Sequence, residues 1–178
     1  VSNLSEHPWE KIDPENHWVE VDLTSITNGG SRRGIVTEGT VVFINSGSGI
    51  IERCPECRRV LREGECAEHG QQKGAEDLRL RFVIDNGISN ANLFLGKEAS
   101  EKFLGSNIDE VRDQISTMGS DDFLSQLRSR ILAKKMRVNG RCAVDGQGAM
   151  IFADKVELLD PDPNKEAEEV MEKWGVSL

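Results

Sequence analysis

A chain of 178 residues, 37% apolar and 30% charged, has room for one sizeable core or one core plus an appendage, and not for two domains of ordinary size. No apolar run approaches the length of a membrane helix and no leader-like segment follows Val1, so neither a membrane-embedded nor a secreted protein is expected; starting on valine, the chain reads as processed or cut from something longer. The formal charge of −9 argues at first against a nucleic-acid partner, because acidic surfaces repel phosphate. Its distribution changes that argument. Residues 1–22 hold six acids and one lysine, and residues 154–178 hold eight acids and three lysines, which leaves 18 basic and 17 acidic side chains between them and room for a basic groove.

Taken in order, residues 1–33 read as an N-terminal arm or interdomain linker. They carry an Asp13-Pro14 turn signal, a half-alternating run from Trp18 to Leu23 that predicts one strand, and the loop Asn28-Gly29-Gly30-Ser31. The run Gly39-Thr40-Val41-Val42-Phe43-Ile44 is rich in β-branched residues, breaks at 45–49 and resumes at Ile50-Ile51-Glu52-Arg53, which predicts a bent or bulged first strand. A second strand alternates from Leu78 to Ile84 and turns at Asp85-Asn86-Gly87. A third, 90–95, puts Ala91, Leu93 and Leu95 on a core face and Asn90, Asn92 and Phe94 on the other.

Helical spacing follows. Ile108, Val111, Ile115 and Met118 recur after an Asn107 cap, and Phe123, Leu127 and Ile131 after Ser120, with Asp121 and Asp122 in the first turn and Lys134 and Lys135 in the last. Strands at 136–144 and 149–159 flank the loop Asp145-Gly146-Gln147-Gly148, and Asp160-Pro161-Asp162-Pro163 interrupts the chain before a final helix. Three strands, helices, then two strands is the order of the oligonucleotide- and oligosaccharide-binding (OB) barrel, although many α+β folds share that element count. The expected architecture is mainly β: a five-stranded OB-fold domain at 34–160, with a zinc-ribbon insertion at 54–69 between first and second strands, helices between third and fourth, and a C-terminal helix within 161–178.

Cys54-Pro55-Glu56-Cys57 and Cys66-Ala67-Glu68-His69 are two ligand pairs, each with two intervening residues, separated by eight. A C-x-x-C turn lets two thiolates approach one tetrahedral ion while backbone amides face the sulfurs, and a second pair across a short hairpin completes the shell. The competing reading is coincidence, or a redox C-x-x-C beside a stray cysteine. Four protein ligands leave no open position, so one structural Zn²⁺ is expected rather than a catalytic one. Cys142 reads as a small buried residue in a strand, and His7 and His17 have no ligand spacing around them.

Alternation places Arg79 and Arg81 on one face of the second strand, and Asn92 and Phe94 on the non-core face of the third. If these strands pair, arginines and an aromatic share one surface, which suits single-stranded nucleic acid: guanidinium groups track phosphates while rings stack on bases. Arg53, Arg58, Arg59 and Arg62 would extend that surface across the zinc insertion. Equally, alternating Arg and Leu describes any half-solvated strand, and a helix could cover Phe94.

The run from Gly39 to Ile44, the zinc insertion after it, Leu78-Arg79-Leu80-Arg81, and the ending from Met136-Arg137-Val138 to Glu157-Leu158-Leu159 resemble the zinc-bearing OB domain of the replication protein A large subunit, in its archaeal form, over residues 34 to about 160. The most specific element is the position of the zinc insertion. The resemblance implies a non-catalytic, sequence-tolerant single-stranded DNA-binding protein of replication, repair and recombination, intracellular, cytoplasmic and nucleoid-associated. Two features depart from the family: the loop 145–148 holds no aromatic, and the helical stretch after Leu104 is longer than a minimal barrel needs.

Ala167, Val170, Met171 and Trp174 form one apolar stripe on an otherwise acidic final helix. The stripe either packs back on its own barrel or, as the resemblance implies, joins other replication protein A subunits or OB domains. The rival to DNA binding is a protein-interaction or scaffold OB domain of a multi-subunit complex. A zinc-dependent nucleic-acid enzyme is disfavoured, since no H-x-E acid accompanies a ligand and no nucleophile triad or phosphate-cradling glycine motif is present.

Overall fold

The computed structural model describes residues 18–146, 148–160 and 163–175; the Asp13-Pro14 turn, His7, His17 and Gln147 lie outside them. Its strands are β1 (Val19–Glu20), β2 (Arg32–Ile44), β3 (Gly49–Arg53), β4 (Glu65–Cys66), β5 (Gly70–Gln71), β6 (Ala75–Asp85), β7 (Asn90–Leu95), β8 (Lys135–Asp145) and β9 (Gly148–Leu158). Its helices are α1 (Leu23–Gly29), α2 (Lys97–Leu104), α3 (Ile108–Met118), α4 (Ser120–Ile131) and α5 (Pro163–Trp174).

The long strands pair in the order β2-β8-β9-β7-β6, and β6 pairs with β2 again, so five strands close on themselves. All of these pairs are antiparallel except β7–β9, which is parallel. Inward positions alternate as the pleat requires. Leu78, Leu80, Phe82 and Ile84 of β6, Ala91, Leu93 and Leu95 of β7, and Met136 and Val138 of β8 are buried in one apolar core. Where β8 meets β9 the register slips between Asn139 and Gly140, and only glycine fits: a Cβ on Gly140 would lie 2.1 Å from the Phe152 carbonyl oxygen.

The first strand bends as its sequence predicts, and its two halves share one partner. β2 runs alongside the C-terminal half of β6, and β3 alongside the N-terminal half, with the break at 45–48. The buried Ser48 repairs the gap: its hydroxyl accepts from Arg81 N–H at 2.9 Å and donates to Arg81 C=O at 3.1 Å, while Asn45 N–H donates to the same carbonyl at 2.9 Å. A side chain thus supplies the ladder bonds that the missing backbone cannot.

Helices α3 and α4 pack on each other, α3 against β3 and α4 against β2. Asn107 and Glu110 form a capping box on α3, and Phe123, Leu124, Leu127 and Ile131 of α4 are buried in the main core. Helix α4 ends earlier than its sequence suggests: Leu132 is extended, Ala133 has φ 60°, and Lys135 opens β8, so the bases in the last turn are Arg128 and Arg130 rather than Lys134 and Lys135.

Two helices emerge that periodicity did not predict. Helix α1 is capped by the Asp22 carboxylate, which accepts from Thr24 N–H at 2.9 Å, and it buries Leu23 and Ile26 completely. Part of the segment 1–33, expected to be an arm or linker, therefore belongs to the core. Helix α2 buries Ala99 and Ser100 and sets Phe103 edge-on to Phe82, with centroids 5.9 Å apart. Among the described residues no helix is long and apolar enough to cross a membrane.

Candidate metal centre and nucleic-acid interface

The knuckle grows from the far ends of β3 and β6. Cys54 directly follows β3, and its turn is closed by Cys54 N–H donating to Arg59 C=O at 2.8 Å and Arg58 N–H donating to Cys54 C=O at 2.9 Å, with Arg58 at φ 63°. The second pair sits on the β4–β5 hairpin. The metal-capable atoms of Cys54, Cys57, Cys66 and His69 all lie within 4.8 Å of one another, and this group could hold a metal ion.

Individual spacings are 3.5 Å from Cys54 Sγ to His69 Nδ1, 3.5 Å from Cys57 Sγ to Cys66 Sγ, and 3.6 Å from Cys66 Sγ to His69 Nδ1. A tetrahedral zinc at about 2.3 Å from sulfur and about 2.0 Å from nitrogen needs ligand atoms roughly 3.5 to 3.8 Å apart, so the donor set fits that ion. The other imidazole nitrogen, Nε2, is 3.5 Å from Glu56 Oε2, the carboxylate partner that fixes ring orientation in metal-bound histidines.

Local electrostatics favour the thiolate at Cys66. Backbone N–H groups of Glu68 and then His69, together with the imidazole, pull the Cys66 thiol down to about 6. His69 is raised by its hydrogen bonds to the Cys66 and Cys54 sulfurs. At Cys57 the Arg59 N–H favours the thiolate, but desolvation and the neighbouring sulfurs outweigh it and push that thiol up. Besides the ligands, Leu61 is the one buried apolar side chain of the knuckle's own cluster. Chain closes tightly over it at Gly74, where a Cβ would lie 2.6 Å from Glu52 Cβ and 2.9 Å from Leu61 Cδ1.

On the outer surface of the ring, register aligns one row of side chains. Arg81 of β6 pairs with Phe94 of β7, Phe94 with Phe152 of β9, and Phe152 with Arg141 of β8. The Arg81 guanidinium stands 4.9 Å from the Phe94 centroid, the Phe94 and Phe152 rings stack at 5.3 Å and 20°, and the Arg141 guanidinium stands 4.2 Å from the Phe152 centroid. Both phenylalanines are half-buried and open to solvent. The next row along the strands runs Phe43, Val83, Asn92, Met150 and Ala143, with Phe43 53% exposed beside a bulge in β2.

Of the residues selected from sequence, Arg81, Asn92 and Phe94 therefore meet on one face. Arg79 lies on the same strand face with its guanidinium beside Gly47; its Nε is buried without a hydrogen-bond partner among the described residues, and burial, aided by nearby Arg81 and Arg53, lowers its pKa. Around the knuckle, Arg53 is engaged by Asp77 and by the Arg58 carbonyl, and Arg59 by Glu68. Arg58 is exposed. On α5, Val170 is 54% and Trp174 68% exposed, Ala167 is exposed and Met171 partly so.

Phe43, Arg141 and Phe152 were not selected from sequence. Phe152 and Arg141 alternate with buried Ile151 and Cys142, a signal visible in the strands, but their place beside Phe94 depends on the parallel β7–β9 pairing.

No protein-family model matches the chain, and no curated protein matches it in sequence. Among solved structures it is similar to a chain from a replication protein A heterotrimer bound to ssDNA, with a TM-score of 0.55 and 12% identity over 87% of this chain and 39% of that one. The architecture is consistent with an OB-like fold. At this identity the likeness speaks for the fold alone, and the chain spans 39% of the length of its neighbour. It is also similar to chains of the S. pombe Stn1–Ten1 complex, at TM-score 0.37, 14% identity and 79% and 68% coverage of the two chains, and of yeast replication protein A bound to ssDNA, at 0.45, 11%, 79% and 84%. Neither superposition is close enough to carry an argument.

Proposed function

We propose that this chain is a non-catalytic, sequence-tolerant single-stranded DNA-binding module of replication, repair and recombination, with the zinc-bearing OB domain of archaeal replication protein A as its model. The observation that carries this reading is the row Arg81–Phe94–Phe152–Arg141, in which two stacked rings are flanked by cations. Solvent-facing rings offer π-surfaces to any base, and guanidinium groups at either end meet the phosphates. Arg79 and Asn92 border the row, and Phe43 adds a third ring one step away. The exposed Arg58 would extend the surface; Arg53 and Arg59, already holding carboxylates, would contribute less.

In this reading Cys54, Cys57, Cys66 and His69 hold one structural zinc, which joins the two ligand pairs and leaves no position for substrate. A labelled oligothymidine titrated at two salt concentrations tests the proposal. Binding should weaken steeply with salt, by a slope of about −0.7 per phosphate neutralised. The absence of binding at micromolar protein would overturn it.

A second reading rests on α5, whose exposed Val170 and Trp174 need a cover. Under it the same domain is a scaffold subunit that docks other OB domains through Ala167, Val170, Met171 and Trp174. Removing 164–178 should lower the assembly mass and leave the ring folded; unchanged mass would remove α5 from the argument.

A further inference from the structure

Beyond the aromatic row lies a basic cleft. Ser31, Arg32, Arg33, Arg141, Cys142 and Ala143 line a cavity of about 280 Å³ at the start of β2, where Arg32 pairs across the sheet with Cys142. Arg32, Arg33 and Arg141 are all exposed, and none forms an ion pair among the described residues. Four other arginines hold carboxylates, Arg53 with Asp77, Arg59 with Glu68, Arg112 with Glu76 and Asp109, and Arg137 with Glu20 and Glu38; what sets Arg32, Arg33 and Arg141 apart is that all three line one cavity whose lining has no acid. In a chain with 31 acids and 22 bases, three arginines around one cleft without a carboxylate repel one another until an anion sits among them.

The cleft is continuous with the row already described, because Arg141 belongs to both: its guanidinium covers Phe152 while its residue lines the cavity. We infer that Arg32, Arg33 and Arg141 form a phosphodiester-binding site that receives the backbone of the single strand after its bases leave the Phe94–Phe152 stack. This inference rests on the proposed single-strand reading and extends it. The strand crosses β6, β7, β9 and β8 roughly perpendicular to the strands and leaves over the start of β2. The arginine fork suits this role, since it takes two phosphate oxygens at once and sheds water more readily than an ammonium group. No ring lines the cavity, so this end of the path contacts phosphate and not base.

Chimeric oligonucleotides separate the two ends. A short oligothymidine segment that covers the rings is extended on its 5′ or its 3′ side by abasic deoxyribose phosphates, and affinity is measured by fluorescence anisotropy for wild type, Arg32→Ala/Arg33→Ala and Arg32→Lys/Arg33→Lys. Both substituted positions are exposed, so folding is expected to survive, which the unextended segment itself checks by binding all three proteins alike. An abasic extension of one polarity should raise wild-type affinity several-fold. In the alanine pair that gain should vanish and the salt slope should fall by about 1.4, two phosphates at about 0.7 each, whereas the lysine pair should keep the slope and part of the gain. An extension that helps neither polarity, or helps the alanine pair equally, overturns the cleft while the oligothymidine reading stands. Failure of wild type to bind the unextended segment overturns both.

Discussion

The ring and the knuckle are built from one continuous pair of strands, β3 and β6, yet they are held together by different physics. Among the described residues the main core gathers 23 buried apolar side chains from α1, every ring strand and α2 to α4. The knuckle's cluster has three, Cys54, Leu61 and Cys66, and two of those are candidate ligands. A core of that size cannot offset the conformational entropy of some twenty ordered residues at about 1 to 2 kcal/mol each. Burial therefore accounts for the ring, and the knuckle is expected to depend on the metal ion that its Cys54, Cys57, Cys66 and His69 group could hold.

The sharpest way to break this comparison is to remove the metal. Structural zinc contributes about 10 to 16 kcal/mol of apparent binding energy in small domains, so a chelator, or Cys57→Ser, should release the knuckle altogether. Amide exchange should then become fast across 54–74 and stay slow in β7 and β8. Equal protection in both regions would mean that the knuckle stands without its ligands. Leu80→Ala attacks the other side. Leu80 is fully buried, and its loss should cost the ring about 2 to 5 kcal/mol in denaturant melts while the metal content of the folded protein stays unchanged.

A smaller effect asks which region grips a strand. Phe94→Ala should weaken oligothymidine binding by about 1 to 3 kcal/mol with little change in stability, and Arg58→Ala on the knuckle should change it less. The reverse order would move the interface off the ring. Smallest of all is Arg112→Ala. It removes contacts with Glu76 and Asp109 that are roughly half-exposed, and melts should register little or no change.

The two regions also differ in how far the sequence disclosed them. The gathering of Cys54, Cys57, Cys66 and His69 into a group that could hold a metal ion was legible, because four donors at fixed short spacings are a local pattern. So were the inward faces of β6 and β7 and the α3 cap, where a period of two or a box of four residues suffices. Helices α1 and α2 were not, at seven and eight residues, because so few turns hold too few apolar positions to establish a period. The first half of β2, Arg32 to Thr37, was not read as strand, and Arg32 and Arg33 fell in the expected linker, for a different reason: its partners in β8 lie about a hundred residues downstream, and pairing over that distance overrides a polar local composition. The outer row was half legible for the same cause. Arg81 and Phe94 come from neighbouring strands, but Phe152 and Arg141 join them only through the parallel β7–β9 register.

Closure of the five strands has a bearing on how these molecules tolerate crowding. A sheet that ends in free ladder groups can template another chain, and aggregation starts at such borders. Here the strands at the ends of the sheet order are β1, two residues long, and β3, five residues long, and each of the five ring strands is hydrogen-bonded to a neighbour on either side over at least part of its length. Copies brought side by side at high concentration would find few long stretches of free backbone on their neighbours to zip onto, and should disperse again on dilution.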